Sequence, residues 1–312
     1  MIWLWMIFGF FLFHKLPKDL QTYLINNIFA GTSTCFCSSS RSNEKLQRQR
    51  KKNSMQGPQP SVCVLHYSQH FLVLEKPYDM VINSNDDENK YTLQTEIRRL
   101  FPALVNPKLR HEFHFVHRLD FATSGVICVA LTKQSAREAS AAFEKRLAKK
   151  YYLALVHGHV EEDSMVIEKS VGEDPREKDG NRKMCTDDDS LCEKPRECRT
   201  ALLVLGRGLR NGKPATKVLM KPGTGRRHQL RVHCLHIGHT IVGDYTYSER
   251  KDCEPHRTFL HSFRLIIDCE IERIDVRTND PFTESDPRNQ WTATNCIRTI
   301  DDDIFTEIDQ LL

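Results

Sequence analysis

From about Ser61 onward, short apolar runs and helical apolar spacings alternate between polar turns. SVCVLHYSQHFLVLEKP carries two apolar runs split by a polar turn, as a hairpin does, and Lys76-Pro77 ends its second strand. VICVAL, Val126 to Leu131, is apolar at every position and predicts a buried strand. Ser135 and Glu138 then stand at capping-box spacing before an alanine-rich helix expected to run to about Leu147. YYLALVHG predicts another strand, closed by Gly158, so the local order is turn, strand, helix, strand. Between Glu161 and Arg199 the chain is charged, with prolines at 175 and 195, which predicts strand fragments joined by an exposed insertion. Core resumes at Ala201 to Leu205 and again at KVLMKP. Past that, Leu230, Cys234 and Ile237 recur at helical spacing and Gly238 suits a C-terminal cap, so a helix is expected to start near Arg226. After Asp280 the pattern weakens, although Ile304, Ile308 and Leu311 are spaced for a short terminal helix. No internal repeat is visible.

These patterns divide the chain into residues 1–60, an apolar start and a basic low-complexity linker expected to be poorly ordered; 61–283, one catalytic-sized body; and 284–312, an acidic tail. The start, MIWLWMIFGFFLF, is 13 residues long, short of a bilayer span, and suits an anchor, a signal peptide or a misassigned start codon. The stretch from Cys35 to Pro60 offers almost nothing to a core, and its RQRKK run reads as a solvated basic tail before it reads as a nuclear address.

Composition narrows the class. With 312 residues, 39% hydrophobic and 28% charged, the chain can bury one sizeable core. The net charge is +4, but residues 1–60 hold eight Lys or Arg against Asp19 and Glu44, leaving 37 basic and 39 acidic residues in the body. Nucleic acid would therefore have to be held by a local basic stripe. The eleven cysteines include no Cys-x-x-Cys pair, which argues against a disulfide framework or a zinc ribbon and for a reducing compartment. Cytoplasm or nucleus is the expected location, with the mitochondrion a third option; neither a stable membrane association nor an oligomer is expected.

Two stretches carry candidate chemistry. FVHRLDFATSG places Asp120 two residues after Arg118 and before a Thr-Ser-Gly turn. An Asp in a turn commonly bonds only its own backbone. Here the apolar Val116 and Leu119 suggest a loop anchored in the core, where a carboxylate needs a cation or several donors. TGRRHQLRVHCLHIGHTIVGDYTY supplies the cations: Arg227 and Arg231 are one helical turn apart, and either guanidinium could hold the carboxylate bidentately.

HRLDFATSG, Lys150-x-Tyr152-x-Ala154-x-Val156-x-Gly158, TGRRHQLRVH with GDYTY, and LHSFRL, together with Glu75-Lys76-Pro77 and Lys183-Met184, resemble the RluA family of RNA pseudouridine synthases from about Val64 to Phe282 and in the family's order. The resemblance implies an α+β fold, with a mixed, mainly antiparallel central sheet, flanking helices and a central active-site cleft. It also implies isomerisation of uridine to pseudouridine in tRNA, rRNA or mRNA, with no cofactor and no metal. By position, Asp120 matches the family's essential carboxylate, Tyr152 the tyrosine that stacks on the uracil, and Arg231 the arginine paired with the carboxylate. Arg118 matches the residue that fills the gap left by the flipped-out uridine, and Leu230 an apolar wall of the pocket. His117, Lys150, Arg226 and Arg227 are expected to contact substrate. The family commonly has Thr at Arg227 and Pro at Thr240, which puts RNA fit in question rather than activity.

With no room for a separate N-terminal RNA-binding domain, grip on RNA is expected from two basic clusters. One is Lys145, Arg146, Lys149 and Lys150; the other is Arg207, Arg210, Lys213, Lys217 and Lys221. Two rival classes remain. One is an RNA-binding protein of the same fold that has lost catalysis. The other is a metal hydrolase using His233, His236 and His239 near Asp244, which three-residue spacing and the helix-ending Gly238 disfavour.

Overall fold

The computed structural model describes residues 62–85, 91–176 and 183–312. The expectations for residues 1–60 lie outside the described residues. No helix among the described residues is long and apolar enough to cross a membrane.

Among the described residues the body is an 11-stranded sheet with helices against it. β1 (Cys63–Tyr67) and β2 (Phe71–Lys76) form the expected antiparallel hairpin, its turn tied by the Ser68 hydroxyl, which accepts from the N–H groups of His70 and Phe71. α1 (Leu93–Leu100) and the two-residue β3 (His114–Phe115) follow, then β4 (Ser124–Ala130), buried at every position as its unbroken apolar run predicts. α2 (Lys133–Glu144) leads to β5 (Lys149–His157). β6 (Ser164–Glu168), β7 (Val171–Glu173), β8 (Met184–Thr186) and β9 (Glu193–Arg196) make up the charged insertion. β10 (Arg199–Arg210) and β11 (Lys213–Pro222) form a long hairpin before α3 (Gln229–His236). β12 (Leu260–Asp268), β13 (Arg273–Arg277), β14 (Trp291–Cys296) and α4 (Asp303–Gln310) complete the order.

The main path runs β1-β2-β4-β12-β5-β11-β10-β14, with β3, β6 and β13 pairing off it; β7, β8 and β9 form a separate three-stranded sheet. Its pairings are antiparallel except β4 with β12, which is parallel. This is the expected α+β, mainly antiparallel architecture. Residues alternate faces along each strand. In β5, Tyr151, Leu153 and Leu155 face the core closed by Phe263 and α4, whereas Ala154 and Val156 face α3 through Leu230 and Cys234. Tyr152 belongs to that second face, and this is what turns its ring toward α3.

Three element expectations need correction. α2 is capped by Thr132, whose hydroxyl accepts from the Ser135 N–H while Ser135 returns a bond to Thr132; Ser135 is thus the third helical residue, Glu138 is not part of the box, and the helix ends at Glu144, leaving Leu147 exposed. α3 begins at Gln229, three residues later than predicted, because His228 takes the left-handed conformation (φ 55°) and interrupts the helical path. The residues after 283 form more than an acidic tail. β14 extends the sheet beside β10, and α4 packs Ile304, Phe305 and Ile308 into the main core, the last in accord with the predicted spacing.

Candidate active site

A cleft of about 640 Å³ opens between the Val116–Thr123 segment, the end of α2, β5 and the Pro222–Arg231 segment. Every residue named above as catalytic or substrate-contacting lines it: Asp120, Tyr152, Arg231, His117, Arg118, Leu230, Lys150, Arg226 and Arg227. Its size lies within the range usual for small-molecule sites.

Asp120 sits on the loop entering β4, held by contacts on both sides. Behind it, the Thr123 N–H bonds the Asp120 carbonyl at 3.1 Å, and the next carbonyl, that of Phe121, accepts from the Met80 N–H and the Lys76 ammonium at 3.2 Å each. Lys76 is wholly buried and also donates to the carbonyls of Pro77 and Met80, so the Lys-Pro pair that ends β2 clamps the loop bearing the carboxylate. Beyond the loop, Gly125 pairs with Ser262 at a φ of +107°, where a Cβ would lie 2.1 Å from the Ser262 carbonyl oxygen. Only glycine fits that step, which explains the Thr-Ser-Gly of the sequence. The start of β4 is fixed further by a buried relay: Arg257 donates to the Ser124 hydroxyl, Ser124 to His261 Nδ1 (2.6 Å), and His261 Nε2 to Thr278 (2.6 Å).

The carboxylate faces Arg231. Arg231 Nη1 donates to Asp120 Oδ2 at 3.3 Å, but its bidentate partner is Asp244, bonded through Nε at 2.6 Å and Nη2 at 2.8 Å. The expected Asp120–Arg231 pair thus forms as a single contact, and the fork is closed on a fully buried carboxylate that sequence reasoning considered only as a metal ligand. Arg227 shares no helical face with Arg231; it precedes the helix and is exposed on the rim. Tyr247 supports Arg231 from the side, with the guanidinium 4.9 Å from its ring centre. Its hydroxyl accepts from the Met184 N–H at 3.0 Å and lies 2.9 Å from His228 Nδ1, joining the insertion to the cleft. His228 Nε2 is 3.7 Å from Asp120, and burial holds that imidazole neutral down to about 4. Asp244, Tyr247 and His228 were within the quoted motif, but spacing alone could not assign them to Arg231.

The other walls follow from their elements. Tyr152, on β5, is half-buried, and burial pushes its hydroxyl up to about 12, so it is protonated at neutral pH. Leu230 closes the apolar side from α3. His117 lines the cleft, but its Nε2 accepts the Cys128 N–H at 2.8 Å and its ring stacks on Phe143 at 4.7 Å. Burial holds it neutral down to about 3, so its hydrogen bond and stacking fasten the loop to β4 and α2. Gln229 braces the opposite lip, accepting from the Thr224 hydroxyl at 2.5 Å and the Arg226 N–H at 3.1 Å.

Charge at the rim is unevenly neutralised. Arg118, Arg146 and Arg227 are exposed and show no ion pair among the described residues; Lys150 and Arg226 bond only backbone carbonyls. Desolvation brings the Lys150 ammonium down to about 8. The second expected basic cluster is largely spent: Arg207 pairs with Asp163, Lys217 with Asp280 and Lys221 with Asp309, while Arg210 lies 5.1 Å from the Phe259 ring. The three histidines of the metal alternative diverge. His233 bonds Thr200 and the Lys169 carbonyl, His236 meets Asp188, and His239 bonds the His157 carbonyl.

Known proteins share this arrangement of sequence. The family described as RNA pseudouridylate synthase matches residues 70–236. RNA pseudouridylate synthase domain-containing protein 1 of Danio rerio is 41% identical over 242 residues, covering 78% of this chain and 82% of that protein. The dual-specificity RNA pseudouridine synthase RluA of Yersinia pestis is 36% identical over 209 residues, covering 66% of this chain and 92% of that protein. Among solved structures, human RNA pseudouridylate synthase domain containing 1 superposes with a TM-score of 0.71 at 37% identity, over 81% of this chain and 96% of that one. Sequence and fold agree, and the chain belongs to the RNA pseudouridylate synthase family.

Proposed function

We propose that the protein isomerises uridine to pseudouridine in a structured RNA, with Asp120 acting at the ribose of a uridine flipped into the cleft. The observation that carries this reading is the half-buried Asp120 carboxylate, 3.3 Å from a charged Arg231 that is itself locked to Asp244. Arg231 cannot follow Asp120 into another orientation without breaking its fork, so the carboxylate meets a cation of fixed position.

The reaction breaks the N1–C1′ bond, turns the uracil and joins C5 to C1′, with C5 losing a proton and N1 gaining one. No atom is added, so no cofactor is required. A carboxylate beside C1′ can attack that carbon or remove the C2′ proton to give a glycal, and both routes need the same ionised, aimed oxygen. Tyr152 offers a flat face to the base during its turn. With its hydroxyl protonated at neutral pH, it serves as a hydrogen-bonding relay for the C5 proton rather than as a phenolate base. A base in a stack cannot reach Asp120, so the uridine leaves its neighbours first, and Arg118, exposed at the cleft wall, is placed to occupy the vacated space. The unneutralised Arg146, Lys150, Arg226 and Arg227 suit the RNA backbone.

The test is pseudouridine mapping of total RNA from cells carrying the wild type or Asp120→Ala in its place. Sites lost in the variant establish the enzyme and name its substrate together. Retention of every site, with the wild-type protein expressed and folded, would overturn the reading in favour of a binding-only protein.

A further inference from the structure

We propose that Phe121 is an RNA-stacking residue, holding the base next to the target uridine outside the cleft while the uridine is inside. The proposal rests on the synthase reading above and deepens it.

Phe121 is the only exposed Phe, Tyr or Trp among the described residues, with 47% of its surface open, and it directly follows the candidate catalytic carboxylate. An apolar ring at the surface is not unusual in itself. What sets this one apart is its backbone. The Phe121 carbonyl accepts from both the Met80 N–H and the wholly buried Lys76 ammonium, and one residue earlier the Asp120 carbonyl accepts from Thr123. The fold thus ties the main chain at Phe121 and leaves about half of the side chain open, so little further ordering of the loop is needed when the ring binds.

Position gives the ring its partner. Asp120 lines the cleft and Phe121 does not, so the ring stands beyond the cavity that would hold the uridine. Three residues before it, Arg118 is exposed at the cleft wall with no ion pair among the described residues. A flat apolar face three residues along the chain from an unneutralised guanidinium suits unpaired nucleotides, whose bases stack on aromatic rings while their phosphates meet Arg or Lys. When one nucleotide leaves the stack its neighbour loses a stacking partner, and Phe121 replaces it. The ring would lower the cost of flipping without touching the reacting atoms, which makes Phe121 a positioning residue. Because every base has a π-face, the contact tolerates any neighbouring sequence.

The test compares full-length wild type with Phe121→Ala, Phe121→Leu, Phe121→Trp and Asp120→Ala, using a short RNA hairpin with a uridine-rich loop and one 2-aminopurine beside a loop uridine. The wild type should quench 2-aminopurine, as a stacked ring does. Phe121→Ala and Phe121→Leu should bind roughly tenfold more weakly and lose the quench, Phe121→Trp should restore both, and thermal melts should change little because the side chain belongs to none of the core clusters. Asp120→Ala should keep the quench. Leu is the deciding variant: if it matches the wild type in quench and affinity, the ring acts by bulk alone and the proposal is overturned. Retention of every cellular pseudouridine in Asp120→Ala would instead remove the synthase reading, while the quench would still decide whether Phe121 stacks on RNA.

Discussion

Arg231 serves two carboxylates of opposite purpose. Asp244 is buried and takes the fork; Asp120 is half-buried and takes the remaining nitrogen. Arg231→Ala should therefore abolish turnover and also cost ~3–5 kcal/mol of stability, because it leaves Asp244 buried without its cation. Urea melts and activity together check this. Asp120→Ala should abolish turnover with RNA affinity changed by no more than a few fold and with little loss of stability, since among the described residues the Asp120 carboxylate makes a single hydrogen bond, at 3.3 Å. Comparing the two variants' melts separates the roles. At this scale the sequence was legible where a residue type is tied to a motif: Asp120, Tyr152 and Arg231 all face one cleft. It was not legible where a pairing depends on three-dimensional approach. Nothing in GDYTY distinguishes a loop Asp from the bidentate partner of an arginine 13 residues earlier, and nothing in VHRLD says that His117 accepts a backbone N–H.

Elements were readable from periodicity, and their ends were not. The buried strand at Ser124–Ala130 and the hairpin before Lys76 follow directly from apolar runs. The start of α3 escaped because the left-handed turn at His228 has no signature in its residue type. The acidic stretch after 283 concealed β14 because exposed edge strands carry polar residues at most positions, as Thr292 to Cys296 do here. Two predictions belong to elements. Gly125→Ala should prevent β4 from seating beside β12, since the added carbon would meet the Ser262 carbonyl; a melt lowered well beyond that of a surface Gly→Ala change would verify this. Ile308→Ala, at a fully buried position of α4, should cost ~2–5 kcal/mol although it lies in what composition marks as a tail.

Across the whole molecule, buried imidazoles make the fold sensitive to acid. His117 and His261 are held neutral to about 3 and His228 and His256 to about 4, all by burial, whereas each ring ordinarily takes a proton near 6.5. Between those limits the unfolded chain binds protons that the folded chain refuses, so stability falls as pH drops from about 6.5 toward 4. Thermal melts across that window should decline, and His117→Gln should flatten part of the decline. RNA binding should weaken with salt, and Arg227→Ala should lower the slope of log K against log salt by about one. The α+β, mainly antiparallel architecture was legible through the family resemblance, and single strands and helices through their apolar spacing; the charge map was not, because it depends on which cations find carboxylates.

The parallel pairing of β4 with β12 has a consequence for the life of the chain. Asp120 leaves the ribosome early, but Gly125 closes on Ser262, Ser124 on His261, and Arg257 on Ser124 only after more than a hundred further residues have been added. Such distant closures are slow to form. A nascent or prematurely terminated chain that displays the whole HRLDFATSG motif therefore lacks Arg257, His261 and Ser262, which fix the start of β4, and, if it ends before residue 231, the arginine that faces the carboxylate, so the motif alone does not complete the site.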